Sequence, residues 1–230
     1  MTAQIKFGSA RFDENGNIKN GKEGDQTGKE VSEQAFYMDK KGWIVLRPAS
    51  PSLAEELAKA MILACKNDNI GYNQYERAQV VKAGIDTKTK VNADCSSLVR
   101  ACCKYCGFDP GNFYTATETE VLFKTGQFLQ PFKLKDKSEL FRGDILVTDG
   151  QGHTVIVTRG PVRHAVTYFP KYEGPETYSI VDGLHRVGAK SSFSYRKMIA
   201  EVNGIEDYTG TSAQNGRMLS LLKEGVLIRP

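Results

Sequence analysis

The chain has 230 residues, room for one domain or one domain plus a small appendage at about 100–200 residues per domain. Hydrophobic residues make up 40% and charged residues 25%, which excludes wholesale disorder and collagen-like repeats. The net charge is only +4, with signs interleaved as in Lys133-Leu134-Lys135-Asp136-Lys137, so no basic arm tracks a phosphate backbone and no nucleic-acid partner is expected.

In chain order, residues 1–50 are rich in Gly, Lys and Asp, with turn dipeptides at Asn15-Gly16 and Asn20-Gly21. A short strand follows at Trp43–Leu46, closed by Pro48 and Pro51. Ser52 reads as the N-cap of a helix, with Glu55 in capping-box position. Leu53, Leu57, Ala60, Met61 and Ala64 recur at helical spacing, so one face of this helix packs on a core. Ile70–Tyr72 opens a loop. Asn92-Ala-Asp94-Cys95-Ser96-Ser97-Leu98-Val99 leads into a second helix that stops near Gly107. A short helix over Thr117–Phe123 is expected. From Gly143 the period changes to two, and Asp144–Thr148, His153–Thr158 and Ala165–Phe169 read as strands. If the last two form a hairpin turning near Gly160-Pro161, His153 pairs close to Tyr168. Beyond Pro175, Ile180–Leu184, Tyr195–Val202 and Gln214–Lys223 read as short helices, which places a boundary near Pro170–Pro175.

Five cysteines, four of them between Cys95 and Cys106, do not suit a secreted disulfide scaffold. The Met1–Gly8 segment lacks a basic stretch followed by an apolar one. The expectation is a protein made in the cytoplasm without a signal peptide and with free thiols. The best apolar stretch, Ala60–Cys65, is too short for membrane insertion.

Asp94-Cys95-Ser96-Ser97 is the centre of chemical interest. Cys95 sits at the first turn of a helix, where unpaired N–H groups and the dipole favour a thiolate. The same N–H groups suit an oxyanion. A cysteine nucleophile needs a base. Of the three histidines, His153 opens a strand after a Gly-rich turn and is the best placed. Cys102 and Cys106 share a face with Cys95 at about 100° per residue and read as core, whereas Cys103 is expected to be partly packed. Cys65 is expected to be buried. Cys103-Lys-Tyr-Cys106 lies inside a helix with no second pair, which argues against zinc. Gly24-Asp-Gln-Thr-Gly28-Lys29-Glu30 is one residue short of a phosphate loop and has Glu where Ser or Thr is needed.

Asp94-Cys95-Ser96-Ser97-Leu98-Val99, Gly143-Asp144-Ile-Leu-Val147 and Gly152-His153-Thr-Val-Ile-Val157 occur in this order. Together they resemble the NlpC/P60 and CHAP superfamily of papain-like cysteine peptidases, which cut peptidoglycan stem or cross-bridge peptides. The segment Gly24–Val31 and the tail resemble those of phage or prophage endolysins of Gram-positive hosts. The resemblance implies an α+β fold with a nucleophile helix packed on an antiparallel sheet over residues 1–172, and a small helical module over 173–230. The tail segments Ser179–Leu184, Ser191–Ala200, Tyr208–Asn215 and Met218–Leu222 resemble a module thought to bind cell wall.

Carried over, Cys95 is the nucleophile and His153 the general base and later acid. Tyr72 resembles the family's cleft-lining tyrosine. Asp94 and Ser96 or Ser97 would line the substrate site, with Asp94 able to hold an amine. The third catalytic residue stays open, and Asp144 reads as structural. The implied partners are peptidoglycan and anionic wall polymers, reached after release from the cytoplasm. A monomer without metal or organic cofactor is expected. An N-acetylmuramoyl-L-alanine amidase on the same dyad, a catalytically dead wall-binding protein and a cytosolic acyltransferase are the alternatives.

Overall fold

A computed structural model describes residues 4–230 apart from Glu14, Asn20, Asp25, Ala165 and Thr177. The turn expected at Asn20-Gly21 and part of the rejected phosphate-loop segment therefore fall partly outside the described residues. The chain is α+β and divides into two compact units, Met1–His164 and Ala165–Pro230.

The first unit is built on a six-stranded antiparallel sheet. Its strands are β1 (Lys6–Ala10), β2 (Val31–Ala35), β3 (Trp43–Leu46), β6 (Phe132–Lys133), β7 (Ile145–Thr148) and β8 (Thr154–Arg159), in the order β2-β1-β8-β7-β3-β6. A separate parallel pair joins β4 (Ile70–Tyr72) to β5 (Val91–Ala93). The unit's helices are α1 (Pro51–Cys65), α2 (Ala78–Ala83), α3 (Cys95–Tyr105) and α4 (Glu118–Lys124).

The period-two strands sort their side chains onto two cores. On one face Ile145, Val147 and Ile156 pack with Leu57, Met61 and Leu98 of α1 and α3. On the other, Leu146, Val155 and Val157 pack with Phe7, Trp43 and Val45. Helix α1 starts two residues earlier than the Ser52 cap expected. Ser50 Oγ accepts from the amides of Ser52 and Leu53, and Pro51 takes the first helical position, where its missing N–H costs nothing. Glu55 is not a capping residue: its carboxylate accepts from Arg142 Nε at 2.7 Å.

Two glycines mark close backbone approaches. Gly143 has φ +89°, and a Cβ there would lie 2.1 Å from the Ala54 carbonyl oxygen of α1. A Cβ on Gly21 would lie 1.9 Å from the Tyr72 carbonyl oxygen, so the N-terminal loop can lie against β4. Asn73 and Asn92 both donate from Nδ2 to the Gly21 carbonyl at 3.2 Å and tie the loop to the parallel pair. Ile70–Tyr72 is thus a strand rather than the start of a loop.

Asp144 is structural, as its place in the Gly-Asp turn implies. It is fully buried, holds Arg47 through both carboxylate oxygens at 3.1 and 2.9 Å, and accepts from the Phe141 amide.

In the second unit α5 (Ile180–Arg186), α6 (Phe193–Val202) and α7 (Ser212–Glu224) enclose a core that includes Leu184, Ile199, Met218 and Leu222. Each helix begins at a side-chain cap, from Ser179, Ser192 and Thr211. The expected hairpin between His153–Thr158 and Ala165–Phe169 is not formed. β9 (Thr167–Tyr168) pairs antiparallel with β10 (Ile228–Arg229), and β8 has β1 and β7 as neighbours. The reason is packing: β8 is buried on both faces from Thr154 to Thr158 and needs a neighbour on each edge, whereas β9 is a two-residue exposed strand.

Candidate active site

Helix α3 begins at Cys95 because Asp94 caps it. Asp94 is extended, and its Oδ1 accepts from the Ser97 amide at 2.7 Å. Ser97 Oγ accepts from the Asp94 amide at 2.9 Å, which completes a reciprocal capping box. The parallel pairing puts Tyr72 opposite Ala93, two residues before Cys95. Tyr72 is buried, and burial with the nearby Cys95 and Asp94 raises its hydroxyl pKa.

Asp94 is not open to a substrate amine in this structure. Its Oδ2 accepts from Arg77 Nε at 2.6 Å, and its Oδ1 also accepts from Ser96 Oγ. Arg77 in turn donates to Ser96 Oγ, the Phe113 carbonyl and Asn112 Oδ1, and lies 4.3 Å from the Tyr114 ring centroid. Ser96 and Ser97 are buried. The side chains of Asp94, Ser96 and Ser97 therefore hold the start of α3 in place, and Arg77 locks them to the segment before α4. Arg77 carries no local signature that would have marked it.

The Cys95 sulfur meets the backbone amides of Ser96 and Thr154, both of which favour a thiolate. Burial and the charges of Asp94 and Glu118 act the other way and are stronger, so the thiol is pushed up to about 12. The helix start alone pointed to a thiolate, but the desolvation of a residue only 8% exposed outweighs it. Cys103 is fully buried and Cys106 only partly, the reverse of their expected packing, and Cys65 is partly buried as well.

Glu118 opens α4 and is fully buried. Its Oε1 accepts from Thr154 Oγ1 at 2.7 Å, while Oε2 is buried without a partner. Burial raises its carboxyl to about 8. An acidic residue in a first helical turn ordinarily reads as solvent-facing, so sequence alone could not single it out.

His153 immediately precedes Thr154. Its amide donates to Thr148 Oγ1 at 2.9 Å and its carbonyl accepts from the Thr148 amide at 3.0 Å. Thr154 and Ile156 face the helices, so strand alternation assigns His153 to the side of Val155 and Val157. Burial, aided by the positive charge of Arg11, lowers the ring to about 4, with Asp39 opposing. Among the described residues no hydrogen bond joins His153 to Cys95. The two are linked through the backbone: the amide that follows His153 is the one that meets the Cys95 sulfur. No group of three or more His, Cys, Asp or Glu suited to a metal is found among the described residues.

A family model of an endolysin-like domain (ELLD) matches residues 7–163. No curated protein matches the chain, and neither does any solved structure.

Proposed function

The chain belongs to the endolysin-like domain family, and on that premise we propose that it is a peptidoglycan hydrolase of NlpC/P60 or CHAP type that cuts an amide in the stem or cross-bridge peptide. The observation that carries this reading is Cys95 on a capped helix start, with the amides of Ser96 and Thr154 turned toward its sulfur. His153 is the base. With its ring held near 4 it is neutral at pH 7 but a weak acceptor for a thiol pushed up to about 12, so proton transfer also requires the Gly-rich turn before His153 to bring the ring out of its present burial. The Cys95 thiol passes its proton to His153 as the sulfur attacks the amide carbonyl. The amides stabilise the oxyanion, the leaving amine takes the proton from the imidazolium, and water releases the acyl group from sulfur. Tyr72 lines the cleft, while Asp94, Ser96 and Ser97 fix the nucleophile. The helical unit after residue 172 binds the wall, and the net charge of +4 on the whole chain adds a loose attraction to anionic wall polymers.

The test is digestion of purified walls and defined muropeptides with mass analysis of the products. Cys95→Ser and His153→Ala should each abolish lysis while leaving the melting curve in place. Full activity of Cys95→Ser would sink the proposal. New termini at the sugar rather than inside the peptide would make the enzyme an amidase instead. A second reading, a wall-binding protein without catalysis, is favoured by one observation: burial keeps Cys95 protonated in this conformation. Wall pelleting without lysis by the unaltered protein would establish it.

A further inference from the structure

Glu118 is a buried ionisable group close to Cys95 to which the mechanism above gives no work. It is fully buried, one carboxyl oxygen holds the Thr154 hydroxyl, and the other is buried without a partner. Thr154 is also the residue whose amide meets the Cys95 sulfur. We infer that Glu118 is a positioning residue for the Cys95 nucleophile: it holds Thr154, and with it the amide facing the sulfur, and it brings an ionisable charge into the same buried cluster. This inference rests on Cys95 being the nucleophile.

The charge balance explains why such a group matters. The groups around the Glu118 carboxyl are Cys95 and Cys103 on α3, Asp94 at its cap, Arg77 before α2 and Thr154 on β8. Asp94 and Arg77 are joined at 2.6 Å and cancel. With Glu118 neutral, a thiolate at Cys95 meets only amide dipoles and a compensated pair. With Glu118 ionised, the cluster carries one extra negative charge that opposes the thiolate. Neutral Glu118 is therefore the state that permits attack, and its ionisation above about pH 8 restrains the nucleophile.

The experiment follows the alkylation of Cys95 by iodoacetamide, mapped by peptide mass, from pH 6 to 10 in the full chain and in Glu118→Gln. The glutamine keeps an acceptor for Thr154 but cannot ionise. The two rates should agree near pH 6, and the variant should become about fivefold faster above pH 9, as expected for one unit charge at an effective dielectric between protein and water. The ratio should turn near pH 8. Thr154→Val removes the bond that favours the ionised carboxylate, so the break in its own rate profile should move to higher pH. This variant is read if Glu118→Gln does not fold. Equal rates in wild type and Glu118→Gln at every pH, absence of reaction in both included, would overturn the inference, as would a ratio constant with pH. Lysis that survives Cys95→Ser would instead defeat the hydrolase reading and leave the alkylation profile as it is.

Discussion

Arg77→Ala is the perturbation that most directly probes how the start of α3 is held. Arg77 and Asp94 are 12% and 5% exposed in their side chains and meet at 2.6 Å. Removing one partner of a buried pair costs about 3–5 kcal/mol, because the remaining charge is left uncompensated. The stack on the half-exposed Tyr114 adds no more than about 1 kcal/mol. The expected loss is therefore about 4 kcal/mol. The assay is suited to the first unit alone: the single tryptophan is Trp43, 1% exposed in its core, so its fluorescence during urea unfolding reports on that unit. The double variant Arg77→Ala with Asp94→Asn removes both charges but keeps an oxygen for the Ser97 amide. It should lose only about half as much as Arg77→Ala, because no unpaired carboxylate remains buried. A loss below about 1 kcal/mol in Arg77→Ala, or a double variant less stable than the single, would refute the reasoning.

Gly143→Ala should destabilise the first unit by several kcal/mol, since the new Cβ would meet the Ala54 carbonyl at 2.1 Å in a backbone with φ +89°; an unchanged urea midpoint would contradict this. His153 has a folded-state pKa depressed from 6.5 to about 4. For a base this makes the unfolded chain the better proton binder, so its contribution is full above about pH 6.5 and is lost as pH falls toward 4, by about 3 kcal/mol at most. His153→Gln should flatten that part of the stability profile, and a wild-type slope retained in the variant would assign it to other groups. Glu118 has the opposite sign: its pKa is raised to about 8, so its protonation favours the fold below the unfolded carboxylate range and that advantage fades as pH rises to 8. Glu118→Gln should therefore gain on wild type between pH 6 and 9 in the same urea assay, and a falling difference over that range would be incompatible with the raised carboxyl.

The local punctuation of this chain is legible without a structure. The change from loop-like sequence to an apolar helical stripe announces a helix near Cys95, whereas the capping box of Asp94 and Ser97 that starts it there is not part of the sequence reading, which places both residues in the substrate site. The alternation after Gly143 reads directly as β7 and β8, and the three tail helices begin within two residues of their expected starts. These features are short-range: they depend on backbone propensity, capping and the period of apolar residues. What lies next to Cys95 is different in kind. Arg77, Glu118 and Thr154 come from three distant segments, and nothing in their local sequence distinguishes a buried charge from a solvated one. The partner of β8 was equally hidden, because β1 wins that edge by burying a strand that is apolar on both faces, and β9 cannot. The protonation of Cys95 follows the same logic. A helix start favours a thiolate, but the sign of the balance is set by how much water the tertiary fold removes and which charges it leaves nearby. By itself the sequence determined β3, β7, β8, α1, α3, α4 and the three tail helices, and the presence of a cysteine poised at a helix start. Only the tertiary structure decided that cysteine's surroundings, because desolvation and long-range pairing belong to the packed chain as a whole.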